Sequence, residues 1–280
     1  MPAALQLIVA SLYQSNHDNL FPEYEMNTPG LVAASAAFLL FSLGGCAQEA
    51  VFSPPSNSEQ VTVSVKVPKD LAADTMRVMY RSAKCPSKES ADGVPYEIDG
   101  FYPIDVEPRQ VGQSDLYEAK LARDGGGACQ WQLSNVTFGV YYENTAQFGE
   151  NVKYGRGGGV IVIFDNNRPQ RRSMDSIVEA SGNIHIKKDY YPWLVEIHLH
   201  EPRNIINILG DQDVFTYKIT ETNKIIFEPQ LHNQKTVRTI GAKSRDKSDL
   251  PKIIYPDGSE ITDDTGEPDL GKLQSIKDKP

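Results

Sequence analysis

Strict alternation marks the first clear element. Val61-Thr62-Val63-Ser64-Val65-Lys66-Val67 puts four valines on one face and Thr, Ser and Lys on the other, the pattern of a half-buried strand that Pro68 ends. Residues 76–80 predict a second, weaker strand, and 82–95 a loop carrying Cys85. Gly100 and Pro103 interrupt residues 98–106, which reads as a broken or edge strand. Residues 116–121 form a short strand or a helical turn, closed by Asp124-Gly125-Gly126-Gly127. Cys129, Trp131 and Leu133 share one face of the next strand, which makes Trp131 a core anchor. Val160-Ile161-Val162-Ile163-Phe164 is continuously apolar, as a strand buried on both faces or central in its sheet must be. Residues 184–187 and 194–200 predict strands bracketing the segment 189–193. Residues 215–220 and 224–227 predict a hairpin around Glu221-Thr222-Asn223, and 235–240 a last strand. No long helical period appears after residue 46. The chain is expected to be all-β, an antiparallel β-sandwich built as one body or as two packed β subdomains.

Ahead of this body, residues 31–46 (LVAASAAFLLFSLGGC) form an uncharged apolar run. It is short for a membrane span, which needs about 20 apolar residues, and suits the apolar region of an export signal. Leu43-Gly44-Gly45-Cys46 resembles a lipobox, which makes Cys46 the expected site of lipid attachment. The usual positive segment is missing: nothing before Cys46 is Lys or Arg, and Asp18, Glu23 and Glu25 precede the run. A start at Met26 would place a short neutral segment directly before it. Translation from Met26 is therefore expected to give the exported lipoprotein, and a Met1 product to stay partly in the cytosol. The expected organisation is a leader and signal region at 1–45, a Ser/Pro-rich tether at 46–60, the β body at 61–242 and a polar C-terminal tail at 243–280.

Charge and chemistry narrow the function. The formal net charge is −9, and because residues 1–45 carry three acidic and no basic side chains, residues 46–280 hold −6 of it. A nucleic-acid binder is normally basic, so no nucleic-acid partner is expected. Besides Cys46 the only cysteines are Cys85 and Cys129. They are expected to form a disulfide in an oxidising compartment and to be free buried thiols otherwise. The glycine run 155–159 precedes a strand and is followed by no Lys-Ser/Thr, so it reads as a mobile loop instead of a phosphate cradle. Glu196, His198 and His200 alternate on one strand face; with no further ligand cluster they read as the polar side of an amphipathic strand, and no metal or cofactor is expected. There is neither a Gly-x-Ser-x-Gly elbow nor a His-Glu-x-x-His pair, so no catalytic residue is assigned and no enzymatic activity is expected. What remains is binding. Arg168, Arg171 and Arg172 in a basic turn, with Tyr190, Tyr191 and Trp193, are the concentrations of interface-favoured residues.

Leu43-Gly44-Gly45-Cys46, the 61–67 strand, the Cys85 and Cys129 pair, and above all Cys129-Gln130-Trp131-Gln132-Leu133-Ser134-Asn135-Val136-Thr137-Phe138-Gly139-Val140 resemble the Tli family, the immunity lipoproteins encoded beside type VI secretion phospholipase effectors. The resemblance covers most of the chain after Cys46 in layout and rests on that one segment. It implies a lipid-anchored protein facing the periplasm that binds a cognate lipase effector and blocks it. It transfers no inhibitory residue. The alternative is a structural or assembly lipoprotein that binds another envelope protein.

Overall fold

The computed structural model describes residues 51–169, 177–199 and 201–276. The leader 1–45, Met26 and Cys46 lie outside these residues. In the tether, Phe52 already packs on Tyr80 and Tyr102, with ring centroids 4.6 and 5.6 Å away, and the Ser53 amide donates to the Gly125 carbonyl at 2.9 Å. The folded body thus begins several residues before the first alternating strand.

That strand, β1 (Gln60–Lys66), buries Val61, Val63 and Val65 as its alternation requires. After the short β2 (Ala72–Ala73) comes β3 (Met76–Ala91), which returns through Asp92-Gly93 into β4 (Val94–Val106). Both turn residues have positive φ, 51° and 80°. A two-residue Asp-Gly turn of this kind matches the twist of the strands it joins. The expected loop at 82–95 is therefore the outer half of a long hairpin. Next come β5 (Arg109–Gln110), β6 (Leu116–Ala122), β7 (Asp124–Gly126) and β8 (Trp131–Tyr141), then β9 (Val152–Tyr154) and β10 (Gly159–Ile163). The glycine run before β10 is held: the Gly155 amide donates to the Ile206 carbonyl at 3.0 Å, and the Ile208 amide to the Arg156 carbonyl at 2.8 Å. The remainder is β11 (Ile177–Ser181), β12 (Ile184–Ile197), β13 (Arg203–Leu209), β14 (Val214–Thr220), β15 (Lys224–Leu231), β16 (Val237–Ile240), β17 (Lys252–Ile254), β18 (Glu260–Thr262) and a short helix, α1 (Leu270–Ser275).

These strands make two sheets. One runs β18-β17-β16-β12-β15-β1-β6-β5, with β13 also beside β12 and β9 beside β13; the other runs β11-β14-β10-β8-β3-β4, with β2 and β7 beside β8. The sandwich is mixed instead of purely antiparallel: β1 with β15, β12 with β15, and β10 with β14 are among its parallel pairs. The cause lies in the connections. Residues 221–223 do not close a hairpin but carry the chain from β14 in one sheet to β15 in the other. Strands that meet within a sheet are therefore often separated in sequence and point the same way.

The inner faces share one core. Val61, Val63, Ile225 and Phe227 from one sheet meet Val78, Val136, Phe138, Val160 and Val162 from the other. Phe138 touches Phe227 edge-on across the gap, centroids 6.2 Å apart at 73°. The described residues all fall in one compact unit, so the body is not divided into two subdomains. A smaller cluster on the far side of β12 contains Tyr191, Trp193, Val237, Ile253, Tyr255 and Leu273. This cluster corrects the reading of 243–280 as a loose tail. β17 pairs with β16, and α1, whose first turn is capped by the Asp269 carboxylate accepting from the Lys272 amide at 2.9 Å, brings Leu273 inside. Few apolar residues anchor this segment, and its polar surroundings hide them. Among the described residues no helix is long and apolar enough to cross a membrane.

Candidate functional site

Those of the expected binding residues that are described do not form one patch. Tyr190, Tyr191 and Trp193 are buried, with 0%, 3% and 7% of their surface exposed, and so are not available as surface anchors. The segment 189–193 is no loop. β12 is continuous through Pro192, which sits opposite Ile208 of β13. Alternation then sends Tyr190 into the main core against Phe215 and Phe227, and Tyr191 and Trp193 into the smaller cluster. Burial pushes the Tyr190 phenol well above its ordinary range. Trp193 Nε1 donates to Thr239 Oγ1 at 2.9 Å, and that hydroxyl donates to the Gly266 carbonyl at 3.0 Å. Tyr191 stacks on His232, with centroids 4.8 Å apart. Arg171, Arg172 and Cys46 lie outside the described residues.

Trp193 instead forms one wall of a cleft of about 290 Å³, whose apolar surface also includes Val195, Ile197, Leu199 and Pro251. Charged pairs rim it. Arg156 lies over the Trp193 ring at 5.7 Å and pairs with Asp213 at 2.9 Å and Glu267 at 3.7 Å, while Arg238 binds the Glu196 carboxylate. Glu196 is thereby occupied by an arginine, which argues against its use as a metal ligand. His198 Nε2 is buried without a hydrogen-bond partner, and His200 is outside the described residues. No group of three or more His, Cys, Asp and Glu side chains is placed to hold a metal among the described residues.

Arg168 leads to a second surface. Its carbonyl accepts from Arg81 Nη2 at 3.3 Å, and in the same loop Asn167 Nδ2 donates to Asp99 Oδ2 of β4 at 3.2 Å. This ties the loop to the β3–β4 hairpin. The outer pairs of that hairpin, from Ser87 with Ile98 to Ala91 with Val94, extend past a register break between Ser82 and Ser87. From Lys88 to Glu97 every residue is exposed, so neither face is covered. Val94 and Tyr96 stand 66% and 44% exposed, on the strand face that further inward buries against the core through Tyr102 and Ile104. The Tyr96 hydroxyl donates to Glu89 at 2.8 Å, and that hydrogen bond with the glutamate's negative charge raises its pKa; the Arg168 guanidinium opposes the rise.

The arm is clamped at its root. Cys85 lies in the register break and is joined to Cys129 by a disulfide, with sulfurs 2.03 Å apart. Ser82 Oγ donates to the Cys129 carbonyl and accepts from the Lys84 amide at 3.1 Å and the Cys85 amide at 3.3 Å. Opposite the break, a Cβ on Gly100 would stand 1.8 Å from the Cys85 carbonyl oxygen, so β4 passes only because residue 100 has none. The sequence reading missed Val94 and Tyr96. The signal that could have found them was Asp92-Gly93 between residues able to pair.

Searches of protein-family models, curated proteins and solved structures find no significant match to this chain. The functional reading therefore rests on the sequence and on these two surfaces, a charged-rimmed apolar cleft and a projecting, disulfide-clamped arm.

Proposed function

We propose that this chain is a lipid-anchored, periplasm-facing immunity protein that binds and neutralises a cognate type VI secretion phospholipase. The observation that carries the reading is the Cys85–Cys129 disulfide at the base of an uncovered arm. A structural disulfide persists in an oxidising compartment, and Leu43-Gly44-Gly45-Cys46 supplies a route to one with an anchor at its end. An exposed, braced hairpin suits a protein whose work is to hold a partner. The resemblance of residues 129–140 to the immunity lipoproteins names that partner as a lipase.

The test is growth. The protein encoded by the adjacent gene is directed to the periplasm with and without this chain. Toxicity relieved by the full chain supports the proposal, and toxicity that persists despite its expression refutes it. The anchor has its own test: Cys46→Ala is expected to move the chain from the membrane to the soluble fraction while leaving binding intact. Membrane retention of that variant would remove the lipid argument.

A further inference from the structure

We infer that the outer face of the sheet at β6, β1, β15 and β12 is a lipid-facing surface, which lays the anchored body on anionic phospholipid headgroups. This rests on the lipid-anchored reading above and adds which side of the body meets the membrane.

The face is basic on an acidic chain. The alternation that sends the valines of β1 into the core sends Thr62, Ser64 and Lys66 outward. Register extends that outward set across the sheet. Lys120 of β6 and Lys224 of β15 stand on either side of Thr62, and Lys187 of β12 stands opposite Glu228 of β15. Arg109 of β5 lies opposite Glu118 at one margin. Lys66, Lys120, Lys187, Lys224 and Arg109 thus share a face with Glu118 and Glu228, in a chain whose residues 46–280 carry a net charge of −6. Asp189, at the far margin, is paired with His232 at 2.7 Å.

Neither carboxylate leaves the cations neutralised. Ser64 Oγ donates to Glu118 at 2.8 Å, and Glu228 receives Lys66 at 3.2 Å, Lys187 at 3.3 Å and His185 at 2.7 Å. Two lysines on one glutamate already leave positive charge over. The side chains of Lys120, Lys224 and Arg109 make no ion pair among the described residues. Lys120 and Lys224 are two strand spacings apart, about 10 Å, with Thr62 between them. Their charges repel, and no described carboxylate offsets them.

Three observations choose the occupant. Lys66, Lys120, His185, Lys187 and Lys224 are all exposed, so no described element lies over them and a broad surface of opposite charge can. A second copy is a poor match, since it would bring the same cations face to face. The chain also enters the body at this end. The Ser53 amide donates to the Gly125 carbonyl at 2.9 Å, Ser58 Oγ to the Asp124 carbonyl at 3.2 Å, and Gln60 pairs with Ala122, two residues from Lys120. Only residues 47–50 separate Cys46 from the described chain, so a lipid there would keep this face within reach of headgroups. A Lys or Arg near an anionic leaflet strengthens binding about fivefold. Salt screens the effect beyond about 10 Å, so the side that touches the membrane decides it.

The test mixes the full chain with vesicles of phosphatidylcholine alone, or of phosphatidylcholine and phosphatidylglycerol in equal parts, and reads flotation and the amine labelling of single lysines. On the anionic vesicles, labelling of Lys120, Lys187 and Lys224 is expected to fall at least about fivefold and to recover in high salt. Labelling of Lys88, in the other sheet, should not change. Lys120→Glu/Lys224→Glu leaves the Glu228 cluster intact, should keep the wild-type melting temperature, and should label at Lys187 alike on both vesicles. A wild-type chain that floats with both vesicles and labels at Lys187 alike on both overturns the inference and leaves membrane attachment standing, as does a double variant protected like wild type. Flotation with anionic vesicles only, with the lysines protected, supports the face and counts against the lipid anchor. Flotation with neither overturns both. Protection of these lysines by the adjacent-gene lipase in solution, with none on vesicles, assigns the face to a protein partner and likewise overturns the inference.

Discussion

At Gly100 a single hydrogen atom decides whether two strands can pass. A Cβ there would overlap the Cys85 carbonyl, which is main chain and cannot swing aside. Gly100→Ala should therefore cost about 2 kcal/mol or more, read as a lower urea midpoint, and should loosen the arm root before the core. In the sequence this glycine registers only as an interruption of residues 98–106, because its contact depends on a register break on the neighbouring strand. Glu228 shows a different residue-scale effect. Partial burial would raise its pKa, but hydrogen bonds from Lys66 at 3.2 Å, Lys187 at 3.3 Å and His185 at 2.7 Å outweigh it and lower the value to about 2. A carboxylate depressed in the folded state stabilises above its unfolded pKa of about 4.3, and that stability is lost as pH falls toward the folded value. Glu228→Gln should be less stable than wild type by up to about 1 kcal/mol at pH 7, since the two lysines are about half exposed. The gap should close between about pH 4 and pH 2, a convergence that denaturant titrations at several pH values will detect.

At the level of elements, legibility followed burial. β1 and β10 were visible in the sequence because alternation in the one and a continuous apolar run in the other are what burial on one or two faces selects. The outer end of β3 was not, because Lys88-Glu89-Ser90-Ala91 is exposed on both faces and nothing selects a period there. The connection from β14 to β15 was misread for another reason. A local turn pattern reports that the chain bends, and carries no information about which sheet receives the next strand. The candidate site suffered from the same limit: Tyr190, Tyr191 and Trp193 are interface-favoured by type, but a continuous β12 points them inward. Among the expected binding residues that are described, Arg168 alone stands beside the exposed arm. The disulfide is where element and stability meet. It closes a loop with a sequence separation of 44 residues, worth about 4 kcal/mol in the chain-entropy account. Cys85→Ala/Cys129→Ala should lose an amount of that order in urea unfolding. Trypsin should then cut at Lys84 or Lys88 under conditions where the oxidised protein resists; equal resistance in both would mean that the arm root does not depend on the bond.

The described residues form a two-sheet body whose last segment closes a second cluster against the outer face of β12. That arrangement places the protein's two tryptophans in separate environments, Trp131 in the main core and Trp193 in the smaller cluster. They can report on the two regions independently. Leu273 is fully buried in the smaller cluster although α1 is only six residues long. Leu273→Ala should cost about 2–4 kcal/mol, the range for removing buried methyl groups. Because the segment is held mainly by the β16–β17 pairing, the Thr239 hydrogen bond to Gly266, the Arg156–Glu267 pair and few apolar contacts, its loss should appear as local opening before global unfolding. The expected signature is a red shift in tryptophan emission at denaturant concentrations that leave the far-ultraviolet circular dichroism of the sheets unchanged. Adding Trp193→Phe should abolish the shift, since Trp131 remains enclosed. If Leu273→Ala leaves both the melting temperature and the emission untouched, residues 243–276 are an appendage and the cleft beside Trp193 has no fixed far wall.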